Sequence, residues 1–238
     1  MKLVKYLANL GYGSRREVES LIAQRRVRHA NGAALDARST PEHADIRVDD
    51  RLLDPPPGSV ISLHKPAGFV CSSNDVPPLV YDLLPARFRL RSPMMATIGR
   101  LDRDSTGLLL LTDDGQMNHR ITSPRSHLAK TYEVDLAREL RGDEQALFAS
   151  GTLRLESDPE LLAPAVLHVL GATRARITVT EGRYHQVRRM FAAVGNHVQS
   201  LARVSIGGLT IGSLPEGEWR LLEPEDLVTL FASPPSTP

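Results

Sequence analysis

The hydrophobic pattern opens with Leu3, Val4, Leu7 and Leu10 at helical spacing, and it stops at Gly11-Tyr12-Gly13. A second helical pattern starts at Ser14-Arg15-Arg16-Glu17. Ser14 and Glu17 stand three residues apart, so each can satisfy an orphan amide of the helix start, and Val18, Leu21 and Ile22 form its apolar stripe. Val27 to Gly32 then reads as a short strand entering an Asn-Gly turn. Two short helices and a small hairpin make a module over residues 1–54.

Pro55-Pro56-Pro57-Gly58 breaks the pattern, and residues 55–59 are expected to be a stiff, extended linker. Strand patterns dominate beyond it, at residues 60–64, 108–112, 131–136, 175–180 and 209–211. A helix is predicted from His185 to Val194, with Val187, Met190, Phe191 and Val194 as its apolar stripe and Gly195 as its stop. Strands outnumber helices, and hairpins outnumber β-α-β units. The reading is therefore α+β with a mixed, mainly antiparallel sheet in a second domain over 60–232. The tail 233–238, rich in proline and serine, is expected to be disordered.

Net charge is only +1 over 238 residues, but it is clustered. Residues 1–30 carry Lys2, Lys5, Arg15, Arg16, Arg25, Arg26 and Arg28 against Glu17 and Glu19. A second cluster comprises Arg183, Arg188, Arg189 and Arg203. Several cations that can reach phosphates together release counterions, so the pattern favours a nucleic-acid partner over a merely solvated face. The apolar runs are too short to span a membrane, and the first residues lack a signal-peptide core, which makes a cytoplasmic location the expectation. The lone Cys71 can form neither an internal disulfide nor a cysteine-based zinc site. His64, His119, His127, His185 and His197 fit no zinc spacing, so no metal is expected.

The stretch from Gly99 to Gly115 carries the most chemistry. Asp102 and Asp104 lie on a turn with Ser105, Thr106 and Gly107, immediately before Leu108-Leu109-Leu110-Leu111. An unbroken apolar run bounded by turn signals fits a strand covered on both faces, which would anchor the turn firmly. Asp102, Asp104, Thr106, Gly107 and Asp113 also match positions of a calcium loop. Against that, Asp113 stands where a bidentate glutamate is needed and four leucines would sit inside the loop. Two further stretches stand out, the alternating Lys130-Thr131-Tyr132-Glu133-Val134 and Glu181 through Phe191.

Together these stretches resemble the motifs of the RsuA family of ribosomal small-subunit pseudouridine synthases. The likeness extends through Gln116, His119 to Arg125, Ala192 to Val198 and Ile206-Gly207-Gly208. Residues 1–54, with Lys5-Tyr6-Leu7, Ser14-Arg15-Arg16 and Asn31-Gly32, look like an S4 RNA-binding domain.

The resemblance implies isomerisation of one uridine of 16S ribosomal RNA, of the uridine-516 type. A sister enzyme acting on 23S RNA and a non-catalytic rRNA-binding assembly protein are the alternatives. It implies Asp102 as nucleophile, Tyr132 as the ring that stacks on the base, and Arg188 as the cation paired with Asp102. Arg100, Leu201 and Lys130 are implied at the substrate, and Lys5, Ser14, Arg15, Arg16, Arg25 and Arg26 at the RNA. Breaking the C1′–N1 bond, turning the base and rejoining it through C5 exchanges no electrons with a partner, so no cofactor is expected. A desolvated carboxylate nucleophile needs a neighbouring arginine to stay ionised. Asp104 is expected to be turned away from this pair. The expected partner is ribosomal RNA, within a partly assembled small subunit, acted on by a monomer.

Overall fold

The computed structural model describes residues 1–156 and 158–234, so residues 235–238 of the expected disordered tail lie outside the described residues. The N-terminal pattern folds as its spacing predicts. Helices α1 (Leu3–Asn9) and α2 (Arg15–Ala23) pack their apolar stripes on a three-stranded sheet of β1 (Val27–His29), β2 (Ile46–Val48) and β3 (Arg51–Leu52). Ser14 caps α2 as a full capping box: its Oγ accepts from the Glu17 amide, and Glu17 Oε2 accepts from the Ser14 amide. The hairpin differs from expectation. The Asn31-Gly32 turn returns only as far as a bridge between Arg28 and Ala34, and the main antiparallel partner of β1 is β2.

After the prolines the chain builds a nine-stranded sheet among the described residues. Its strands are β4 (Val60–Lys65), β5 (Ala96–Ile98), β6 (Thr106–Thr112), β7 (Lys130–Leu136), β8 (Val166–Gly171), β9 (Arg174–Val179), β10 (Val198–Ile206), β11 (Leu209–Thr210) and β12 (Trp219–Leu221). The main path runs β12-β4-β6-β10-β7-β9-β8, with β5 beside β6 and β11 beside β10. Of these pairings only β6 with β10 is parallel, so the sheet is mixed and mainly antiparallel. Helices α3 (Ala86–Arg89), α4 (Gly115–Thr122), α5 (Glu144–Ala149), α6 (Gln186–Ala193) and α7 (Pro224–Leu230) lie against it.

The four leucines of β6 explain its central place. Leu109 and Leu111 enter one buried cluster with Ile61, Leu63 and Phe88, while Leu108 and Leu110 enter another with Ile98, Ile121 and Leu230. A strand buried on both faces reads as an unbroken apolar run for this reason. A third cluster, with Phe148, Ile177, Met190 and Phe191, lies under α6 and β7 to β9. Gly107 permits the parallel seam. Its φ is +105°, and a Cβ there would collide with the Arg203 carbonyl oxygen of β10.

The proline segment is tied to the second domain by a buried ion pair. Arg91 and Asp113 form an ion pair at 2.9 Å whose side chains are 1% and 5% exposed. Asp113 also accepts from the Gly58 amide and Arg91 donates to the Pro55 carbonyl, so the pair holds both ends of the proline segment. No helix is long and apolar enough to cross a membrane among the described residues.

Candidate active site

The turn after β5 is braced before it carries any chemistry. The Ser105 amide donates to the Asp102 carbonyl, closing the turn, and the Gly68 amide donates to the Arg103 carbonyl. Lys65 is fully buried at the end of β4. Its ammonium donates to the carbonyls of Pro66 (3.0 Å), Arg103 (3.2 Å) and Ser105 (2.7 Å). Burial pushes this ammonium below the ordinary lysine value, and the three carbonyl dipoles are what hold the charge there. Lys65-Pro66-Ala67-Gly68 thus clamps the segment that presents Asp102.

Asp102 emerges into an open cleft where the turn, β7, β10 and the loop before α6 converge. Arg100, Leu101, Ser105, Tyr132, Glu181, His185 and Leu201 are among its walls. Four of the residues singled out from the sequence therefore share one cavity: Asp102, Tyr132, Leu201 and Arg100. Leu201 is buried and Tyr132 half-buried, while Arg100 is exposed. Lys130 is not among them. It sits two residues before Tyr132 on the same strand, and its ammonium donates to the Leu128 carbonyl at 3.1 Å. Burial, then the nearby Arg203, pushes it below the ordinary lysine value.

Arg188, in the first turn of α6, pairs with Asp102 as expected but holds a second carboxylate more closely. Its Nη2 donates to Asp104 Oδ2 at 2.8 Å and its Nη1 to the Val198 carbonyl at 3.0 Å. Its Nε stands 3.8 Å from Asp102 Oδ2, buried and without a hydrogen-bond partner among the described residues. Asp104, expected to turn away, is thus the closer partner. The reason is geometric: the carboxylates flank one guanidinium from two positions of the same turn, and the exposed Asp104 can reach out to it. The group nearest to Asp102 is instead His185, whose Nε2 lies 3.2 Å from Oδ1. His185 stands before α6 in a left-handed conformation, φ 48°, so no helical spacing signalled its place beside Asp102.

Asp102 is also less desolvated than expected, because its side chain keeps 31% of its exposure. The second basic cluster is a further correction. Arg183 donates to Glu181 and to the carbonyls of Glu160 and Leu161, and Arg189 to Asp158 and the Glu156 carbonyl. Arg203 is buried and donates to the Leu108 carbonyl. These arginines hold the fold together instead of forming a basic surface. Arg26 is likewise paired, in a fork with Asp49, and Ser14 is spent on its helix cap, whereas Lys5, Arg15, Arg16 and Arg25 are exposed. No group of three or more His, Cys, Asp or Glu residues able to hold a metal ion occurs among the described residues.

The chain as a whole has counterparts among known proteins. The profile of the RNA pseudouridylate synthase family matches residues 59–193. The chain is 42% identical to ribosomal small subunit pseudouridine synthase A of Escherichia coli (strain K12), over 97% of this chain and all of the relative. It is 41% identical to the Haemophilus influenzae protein of the same name, over 97% and 99% of the two chains. A crystal structure of a pseudouridylate synthase superposes with a TM-score of 0.68 at 39% identity, covering 97% of this chain and 99% of that one. The profile match over more than half of the chain and relatives 41–42% identical over nearly its full length place the chain in the RNA pseudouridylate synthase family, in the group of ribosomal small subunit pseudouridine synthase A.

Proposed function

We propose that the protein converts one uridine of 16S ribosomal RNA, of the uridine-516 type, to pseudouridine, with Asp102 as nucleophile. The observation that carries this reading is the convergence of Asp102, His185 and Tyr132 on one cleft, with Arg188 3.8 Å from Asp102, in a chain similar over nearly its full length to small-subunit synthases.

The chemistry assigns each group a task. Asp102 attacks a carbon of the nucleoside, at C1′ or at C6, and the C1′–N1 bond breaks. The base turns, C1′ bonds to C5, the bond to Asp102 breaks and returns its carboxylate, the C5 proton leaves, and N1 gains one. Atoms and electrons balance within the substrate, so the reaction calls for no redox partner. His185 and Arg188 face the two oxygens of Asp102 and keep its charge in place as RNA covers the cleft. Tyr132 stacks on the uracil, recovering part of the few kcal/mol that flipping a nucleotide out of its stack costs. Leu201 provides the apolar floor, and Arg100 at the exposed rim occupies the place the base leaves. The N-terminal module resembles an S4 domain and supplies phosphate contacts through Lys5, Arg15, Arg16 and Arg25, with the substrate being RNA within a partly assembled small subunit and the enzyme acting as a monomer.

The test uses purified protein, small-subunit ribosomal RNA and no added cofactor, with chemical mapping of pseudouridine. One modified uridine is expected from the wild type and none from Asp102→Asn. Product that persists with Asp102→Asn removes the nucleophile, and product on large-subunit RNA alone moves the enzyme to the sister group.

A further inference from the structure

Tyr184 stands between Arg183 and His185, two residues that line the cleft, and belongs to none of the roles above. Its side chain is 69% exposed, yet its ring is not free to wander. It stacks on His185 with centroids 3.8 Å apart and planes 19° from parallel. Successive side chains do not ordinarily face one another. His185 adopts a left-handed backbone with φ 48°, and this folds the two rings together at the start of α6. His185 is in turn held against Asp102, so a continuous ladder runs from the Asp102 carboxylate through the imidazole to the outer face of the phenol.

That outer face adjoins a shallow concavity lined by Glu156, Asp158, Arg189, Ala192 and Ala193. Charge does not make this surface an RNA site. Asp158 neutralises Arg183 and Arg189, and Glu156 adds a negative charge. What it offers is an immobilised aromatic face one residue from the reacting centre. An exposed aromatic ring whose rotamer is already fixed loses little entropy on stacking, and every nucleobase has a π-face to offer.

We infer that Tyr184 is a subsite for an unpaired nucleobase of the RNA, the one flanking the flipped uridine, which stacks on the side of the phenol opposite His185. The inference rests on the reading of the protein as an RNA-modifying enzyme. It does not depend on which ribosomal RNA is modified.

The experiment measures binding instead of turnover, so that its failure is separable from a failure of the substrate assignment. Fluorescein-labelled uridine decanucleotide is titrated with the full-length protein, followed by anisotropy, at several salt concentrations. Loss of one stacked base is worth about 1–3 kcal/mol, so Tyr184→Ala should weaken binding about tenfold. The slope of log affinity against log salt should be that of the wild type, because no phosphate contact is removed. Tyr184→Phe and Tyr184→Trp should restore wild-type affinity. Unchanged affinity in Tyr184→Ala overturns the inference, as does a changed salt slope or a Tyr184→Phe variant as weak as the alanine one. Pseudouridine found only on large-subunit RNA, with ring-dependent binding intact, overturns the substrate assignment and leaves this subsite standing.

Discussion

Arg188 spans two carboxylates of one turn, with its Nη2 2.8 Å from Asp104 Oδ2 and its Nε 3.8 Å from Asp102 Oδ2. Nη1 is bound to the Val198 carbonyl, so all three guanidinium nitrogens face the turn or β10, the strand on which Leu201 lies. Only the planar fork of arginine can hold these positions together. The arrangement fixes the cation beside Asp102 while leaving Nε to tighten onto the carboxylate when RNA excludes water. Geometry in an open site is often longer than in the reacting complex.

Arg188→Lys should therefore lower turnover about a hundredfold, the scale of a 1 Å misplacement at a reacting centre. Asp104→Asn, which removes an exposed partner of a pair worth about 0–1 kcal/mol, should lower it less than about tenfold. Single-turnover rates of pseudouridine formation on saturating RNA check both. An Asp104→Asn defect as deep as that of Asp102→Asn would make Asp104 part of the chemistry.

Lys65→Met should destabilise the fold by about 1–3 kcal/mol, because it leaves the buried Ser105 carbonyl and the part-buried Pro66 and Arg103 carbonyls around the Asp102 turn without their shared donor. Urea unfolding measures the loss. The residual folded enzyme should also turn over more slowly, since the clamp on the turn is gone.

Gly107→Ala should cost at least about 2 kcal/mol, combining a left-handed φ with a methyl driven into the backbone of β10. Thermal unfolding is the measurement. A variant as stable as the wild type would mean that the parallel seam between β6 and β10 can open without penalty.

Glu133 links pH to stability. The Arg176 hydrogen bond, backed by Arg174, holds its carboxyl below the usual glutamate range against the opposing effect of burial. A depressed carboxyl stabilises the fold above its unfolded value of about 4.3, and that contribution is lost as pH falls through the folded value. Glu133→Gln should therefore lower stability at neutral pH and flatten its decline below about pH 4.3, read from denaturation midpoints across pH.

The strands at 60–65, 106–112, 130–136 and 174–179 and the helix at 186–193 were legible within a residue or two, as was the capped start of α2. Their signals are local: apolar periodicity, a cap three residues from its partner, a glycine stop. The stretches around Asp102, Tyr132 and Arg188 were legible too, because turn residues against an apolar run mark a scaffolded loop. Pairings across long separations were not. Arg188 and Asp104 are 84 residues apart, and Lys65 and Ser105 are 40 apart. Which carboxylate an arginine reaches, and whether an arginine faces solvent or a carbonyl, depends on strand order and side-chain direction. The sequence alone thus determined those elements and the reactive residue types, though not β5, β8, β10 or β12. The tertiary structure decided that Lys65 clamps the turn, that His185 stands next to Asp102, and that Arg183, Arg189 and Arg203 are spent internally, because hydrogen-bond partners are chosen by distance in space and not by spacing along the chain.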